Sequence, residues 1–264
     1  MEPDPQAAAK YTEAVKRSPF VRELLERRLP LEWAPTRMVS DPPAKGLGLA
    51  PADGLLPQKL SELLGDPQKE VDLVSAYFVP AEVGTALFTE WTKQGVRLRI
   101  LTNSFEATDV SVVHAGYAKR RRDLLEAGVT LYELRPLTPE AERRDARLVG
   151  SSGSSAASLH AKTFSVDRAR VFIGSFNFDP RSANLNTEMG FVIESPALAQ
   201  RIRETFDRRI PARAYEARLS DEGKLYWIER GEGADVRHDT EPGTSFWQRL
   251  AVRVLSVLPI EWLL

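Results

Sequence analysis

Residues 159–188 read LHAKTFSVDRARVFIGSFNFDPRSANLNTE. LHAKTFSV alternates, and its β-branched and aromatic content suits a strand. His160 and Lys162 are two apart, so on a strand both point to one face. Asp167-Arg168-Ala169-Arg170 reads as a turn and Val171-Phe172-Ile173 as a returning strand. Gly174, Ser175 and Asn177 follow at once, where a glycine lets backbone approach a ligand and small polar side chains can donate. An imidazole, an ammonium, a hydroxyl and an amide can thus converge on one small volume. Phosphate is a natural occupant. Lys162 supplies a point charge, Ser175 and Asn177 supply donors, and His160 can serve as nucleophile or general acid.

The spacing His-x-Lys-x4-Asp-x6-Gly-Ser-x-Asn, on His160, Lys162, Asp167, Gly174, Ser175 and Asn177, resembles the HKD motif of the phospholipase D superfamily at every defining position. The resemblance implies phosphodiester chemistry with His160 and Lys162 as catalytic residues. It also implies a Glu after the Asn-rich segment whose carboxylate orients the imidazole. Glu188, at the start of the alternating strand TEMGFVIE, holds that place, and a carboxylate there would fix the tautomer and stabilise the cation. Asp167 counts among the catalytic candidates, but at a strand end it can instead fix the turn.

Composition sets the frame. At 264 residues the chain can bury a real core, in one or two domains. Charged residues make up 28% and hydrophobic residues 42%, as in ordinary globular proteins. The formal net charge of −1 gives no basic footprint, so no nucleic acid partner is expected. With 0 Cys and 3 His, the cluster calls for no metal, and no cofactor is expected. The amino terminus lacks the apolar core of a signal peptide, and no stretch has the length of an ordinary membrane span. The absence of cysteine fits a cytoplasmic location, and the resemblance implies a peripheral place on the inner membrane.

Along the chain, residues 1–45 read as an arm or linker. Ser18 and Pro19 fit the cap and first position of a short helix, Leu31–Ala34 looks like an edge strand, and Arg37–Ser40 like another. Residues 46–236 form the main domain. A helix is expected over Leu56–Leu64, a strand over Val71–Phe78, a helix over Ala81–Gln94 and a strand over Val96–Leu101. A helix over Val110–Ala127 and a strand over Val129–Leu134 come next. This alternation predicts an α/β fold with a mixed, mainly parallel sheet flanked by helices. Thr138–Ser158 reads as a loop that is either solvated surface or a cover over the site mouth. Pro180–Asn186 suggests a helical turn whose Arg181 is a phosphate ligand or a structural donor. Pro196–Arg209 is amphipathic, and Ala214–Leu219 with Leu225–Glu229 suggests a hairpin.

Residues 237–264 form a tail. SFWQRLAVRVLSVLPIEWLL, from Ser245 to Leu264, is dense in Trp, Leu and Val. As a helix it can lie in a bilayer interface with Trp247 and Trp262 at headgroup level, or dock on the protein; the two do not exclude each other.

Further runs make the resemblance more specific. KGLG, VSAYFVP, ILTNSFEATDV, VHAGYAKRRRDLLEAGV, YELRP and the PGTSFW tail are similar to the C-terminal half of bacterial cardiolipin synthases of the C type. That family implies phosphatidyl transfer between phosphatidylethanolamine and phosphatidylglycerol, with one motif histidine forming a covalent intermediate and another protonating the leaving alcohol. It also implies a substrate-side place for His114. Here a second His-x-Lys-x4-Asp is absent. The resemblance therefore leads us to expect a half-enzyme: a split product that needs a partner half, a homodimer pairing two copies of His160, or a chain inactive alone. The Met1 start and the linker-like first 45 residues suit a split or mis-started product. Outside transfer, a hydrolase, a nuclease and a non-catalytic lipid-binding half stay open.

Overall fold

The structure, a computed structural model, describes residues 16–28, 31–108, 110–136, 159–231 and 233–257. The chain forms two compact units, Met1–Ala34 and Pro35–Leu264. In the first, helix α1 (Pro19–Leu25) begins as its sequence suggests, with Ser18 accepting a hydrogen bond from Val21 N and Pro19 in the first turn. The predicted edge strand at Leu31–Ala34 is irregular chain instead, and Trp33 is exposed. Residues 35–45, read from sequence as part of the arm, belong to the second unit.

That unit is built on one sheet. In chain order its elements are β1 (Thr36–Ser40), α2 (Leu56–Leu64), β2 (Glu70–Ser75), α3 (Ala81–Lys93), β3 (Arg97–Asn103), α4 (Ser111–Glu126) and β4 (Thr130–Leu134). From Leu159 onward come β5 (Lys162–Val166), β6 (Arg170–Gly174), α5 (Pro180–Asn184), β7 (Met189–Glu194) and α6 (Pro196–Glu204). A π-helical turn and α7 (Ile210–Arg213) lead to β8 (Ala214–Leu219), β9 (Leu225–Glu229), β10 (Val236–His238) and α8 (Phe246–Val257). Among the described residues the strands order as β1-β7-β6-β5-β2-β3-β4-β8-β9-β10.

The α/β class stands, but the sheet is mainly antiparallel, against the expectation of a mainly parallel one. Among the described strands only β2–β3 and β3–β4 pair in parallel. The reason is connection length. Helices α3 and α4 provide the crossovers that parallel neighbours need, whereas β5–β6 and β8–β9 are joined by a few residues and must run antiparallel. Apolar side chains of β2, β3, β5 and β6 (Leu73, Ile100, Phe164, Phe172) meet Leu60, Phe88 and Leu124 from the covering helices in one core. Leu101, Tyr132, Phe206 and Ile210 form a second cluster. The expected loop Thr138–Ser158 and Trp262 lie outside the described residues.

Candidate active site

The carboxyl ends of β2 and β3 and the amino end of β5 meet at one end of the sheet. Lys162 opens β5 there, paired with Ser75, the last residue of β2. Its side chain is buried, and Nζ donates to the carbonyl oxygen of His160 at 2.8 Å. His160 itself is exposed. Asn103, the last residue of β3, fastens the chain just before it: Leu159 N donates to Asn103 Oδ1 at 2.9 Å, and Asn103 Nδ2 donates to Leu159 O at 3.1 Å. The approach to His160 is therefore held by backbone and amide groups from within the sheet.

Gly174 ends β6 and Gly190 faces it on β7. A Cβ on Gly174 would come within 2.4 Å of Met189 O and 2.6 Å of the Phe172 ring, and one on Gly190 within 2.4 Å of the same ring. The motif glycine is thus required by Phe172 and the neighbouring strand, not by approach to a ligand as its sequence context suggests. Ser175 follows it. Its hydroxyl donates to Glu188 Oε2 and accepts from Met189 N at 3.1 Å. Ser182 Oγ donates to the other carboxylate oxygen, Oε1, at 2.8 Å. A carboxylate offers about four lone-pair sites, so two hydroxyls leave Glu188 able to accept another donor. No bond between Glu188 and the His160 ring occurs among the described contacts. Asn177 is buried close by, with Tyr77 N donating to its Oδ1 at 3.4 Å.

Beneath this cluster lies a support that sequence reading missed. Asp41 and Lys45 form a buried ion pair at 2.6 Å. Lys45 Nζ also donates to Ser182 O at 2.7 Å, and Asp41 Oδ2 accepts from Glu188 N at 2.9 Å. Asp179 caps α5 by accepting from Ser182 N at 2.6 Å; burial, chiefly, raises its carboxyl above the ordinary range. Nothing local in DPPAKGLG distinguishes Asp41 and Lys45 from loop residues, because their partners lie far along the chain.

Asp167 lies elsewhere, at the opposite end of β5, about 17 Å along the strand from Lys162. Its Oδ1 accepts from Lys69 N at 2.7 Å and Glu70 N at 3.1 Å, and its Oδ2 from Gln68 N at 2.9 Å. It fixes the start of β2 and the turn into β6. Arg181 is exposed and donates to Asn186 Oδ1 at 3.3 Å.

His114 is buried in α4, with Nε2 2.6 Å from Glu241 Oε1 and 3.0 Å from Arg121 Nη2. These contacts demand opposite proton positions on Nε2, since a guanidinium can only donate. Arg121 Nη2 also donates to Glu241 Oε1 at 2.7 Å. Burial alone would raise Glu241, but the Arg121 charge and the His114 hydrogen bond outweigh it and hold the carboxyl far below its usual range. The carboxylate is therefore ionised, Nε2 carries the proton and donates to it, and the 3.0 Å approach to Arg121 is no hydrogen bond. Arg121 faces Glu133 at 3.1 Å, and that carboxylate accepts from Tyr117 Oη and Trp227 Nε1, each at 3.0 Å. His114 is thus buried rather than on the surface. It shares the wall of a small cavity with Asn103, which holds Leu159.

Comparison with known proteins bears on the family. Residues 60–210 match the family described as cardiolipin synthase, PLD-like domain. Cardiolipin synthase C of Escherichia coli K12 is 49% identical over 97% of this chain and 54% of its own length. Cardiolipin synthase B of Shigella flexneri is 26% identical over 57% of this chain and 31% of its own. The chain thus spans about half the length of cardiolipin synthase C. Among solved structures, phosphatidylserine synthase from Haemophilus influenzae Rd KW20 superposes with a TM-score of 0.54 at 14% identity, covering 87% of this chain and 48% of that one, a likeness of fold. On the domain match and the 49% identity, the chain belongs to the phospholipase D-like cardiolipin synthase family.

Proposed function

We propose that this chain is a phosphatidyltransferase of the cardiolipin synthase kind that supplies one motif histidine to a composite active site. The carrying observation is the gathering of Lys162, Ser175, Asn177 and Glu188 beside the exposed His160, in a chain 49% identical to cardiolipin synthase C. In this reading the His160 ring attacks the phosphorus of a phospholipid phosphodiester. A phosphorus–nitrogen bond forms and the phosphorus–oxygen bond to the leaving alcohol breaks. A second histidine protonates that oxygen, then takes the proton of the incoming alcohol as the latter displaces His160. Lys162 and Asn177 stabilise the charge on the phosphoryl oxygens. Glu188, held by Ser175 and Ser182, accepts from the far ring nitrogen once lipid has drawn His160 inward. Asp167 has a structural role. The phosphatidyl donor and acceptor are phosphatidylethanolamine and phosphatidylglycerol, the protein works at the cytoplasmic face of the inner membrane, and the second histidine comes from a partner half or a second copy.

Product analysis tests this. Native protein and His160→Ala are incubated with vesicles of phosphatidylglycerol and phosphatidylethanolamine, with and without a complementary half-chain. Cardiolipin from the native protein, falling by about a thousandfold or more in the variant, supports the reading. Equal turnover by both overturns it, and phosphatidic acid as main product replaces transfer with hydrolysis.

A further inference from the structure

Helix α8 is mounted with its apolar side outward. Phe246, Trp247, Leu250, Val254 and Val257 fall within an arc of about 100° on a helix of 3.6 residues per turn. All five are exposed, Trp247 at 74% and Val257 at 78%. The opposite side, through the buried Val252 and the half-buried Gln248, Arg249, Leu255 and Ser256, packs on α4. An amphipathic helix docked for its own stability does the reverse and buries the apolar stripe.

The helix is also held in place. Arg249 Nη1 donates to Thr244 O at 2.6 Å and to Thr244 Oγ1 at 3.1 Å. Five residues before Phe246, Glu241 is bonded to His114 and Arg121 of α4. His114 lines the same small cavity as Asn103, whose amide holds the chain at Leu159, next to His160. The start of α8 is therefore tethered to the end of the sheet that carries the candidate site.

Charge selects the occupant of the stripe. Phe246–Val257 contains Arg249 and Arg253 and no acidic residue, in a chain whose formal net charge is −1. Aromatic and branched residues on one face, with only arginines as charges, match a helix lying in the headgroup layer of an anionic bilayer. Among the described residues no helix is long and apolar enough to cross a membrane. We infer that α8 is the membrane-docking element: its Phe246–Val257 stripe enters the interface of an anionic phospholipid bilayer while buried Val252 and the bonds of Glu241 to α4 keep it fixed to the protein.

This rests on the proposed phospholipid chemistry only for the choice of surface, and its test reads partition rather than turnover. Co-sedimentation is measured with vesicles of phosphatidylglycerol and phosphatidylethanolamine, and with phosphatidylcholine alone. Native protein binds the anionic vesicles better, and raised salt weakens that preference. Trp247→Ser with Val254→Ser, both at exposed positions, lowers partition by about tenfold or more, whereas Val83→Ser, an exposed apolar position on α3, leaves it unchanged. Undiminished binding by the double variant, or native protein that binds neither vesicle, overturns the inference. So does a native dimer that the double variant converts to monomer without losing vesicle binding, since the stripe is then a protein interface. Stripe-dependent binding without any lipid turnover supports the inference and counts against the catalytic reading alone.

Discussion

At the scale of single residues, the motif divides its labour along one strand. Lys162 stands at one end of β5 and Asp167 at the other, where it accepts three backbone N–H groups and takes a left-handed φ of 53°. That conformation suits Asp and Asn far better than Ala. Asp167→Ala should therefore cost about 2 kcal/mol or more, by losing charge-assisted bonds and gaining backbone strain. Asp167→Asn should cost less, because its amide oxygen still accepts. The check is the urea midpoint of both variants, with turnover corrected for the folded fraction. Turnover that follows folding supports the turn-fixing role, and turnover lost in fully folded Asp167→Asn restores a chemical one. The spacing of the motif singled out His160, Lys162, Ser175 and Asn177, and the resemblance added Glu188. The spacing left Asp167 open between a catalytic and a turn-fixing place, because its three backbone donors come from residues 97–99 positions away.

At the scale of elements, α4 is joined to β4, β9 and the approach to α8 by buried charge: Arg121 between Glu133 and Glu241, with His114 against the latter. Burial works to raise Glu241, but Arg121 first and then His114 hold its folded carboxyl well below 4.5, the ordinary value. The sign follows. Stability from Glu241 is fully present above the unfolded carboxylate range and is lost as pH falls toward the depressed folded value. Glu133, raised by burial despite Arg121, acts oppositely, its contribution falling as pH rises through its folded value. Native protein should lose stability steeply below about pH 4.5. Glu241→Gln, destabilised by about 3–5 kcal/mol at neutral pH by leaving Arg121 short of a partner, should lose less on acidification. Urea midpoints at pH 7, 5 and 4 check this, and parallel acid limbs would remove Glu241 from the account. Helices α2, α3 and α4, and the β5–β6 and β8–β9 hairpins, were readable because periodicity and turn residues are local signals. Strand order and this ion cluster were not, since His114 and Glu241 lie 127 residues apart.

At the scale of the whole molecule, the decisive fact is chemical. One His-x-Lys-x4-Asp motif supplies one reacting imidazole, and phosphatidyl transfer through a covalent intermediate also needs a proton donor for the leaving alcohol. The chain spans 54% of the length of cardiolipin synthase C, so either a partner half or a second copy can hold that donor. Mixing separates a composite site from a self-sufficient one. If two copies pair their His160 residues about a two-fold axis, equal amounts of native and His160→Ala chains, allowed to exchange, place two intact histidines in about one quarter of dimers, so turnover falls to about a quarter of that of the same total of native protein. Independent sites instead leave about one half. A result near one half would give each chain its own complete site and require an acid other than a second His160. A native chain that makes product only with a complementary half-chain, and whose turnover then follows the amount of intact His160 linearly, would place the second histidine on that half.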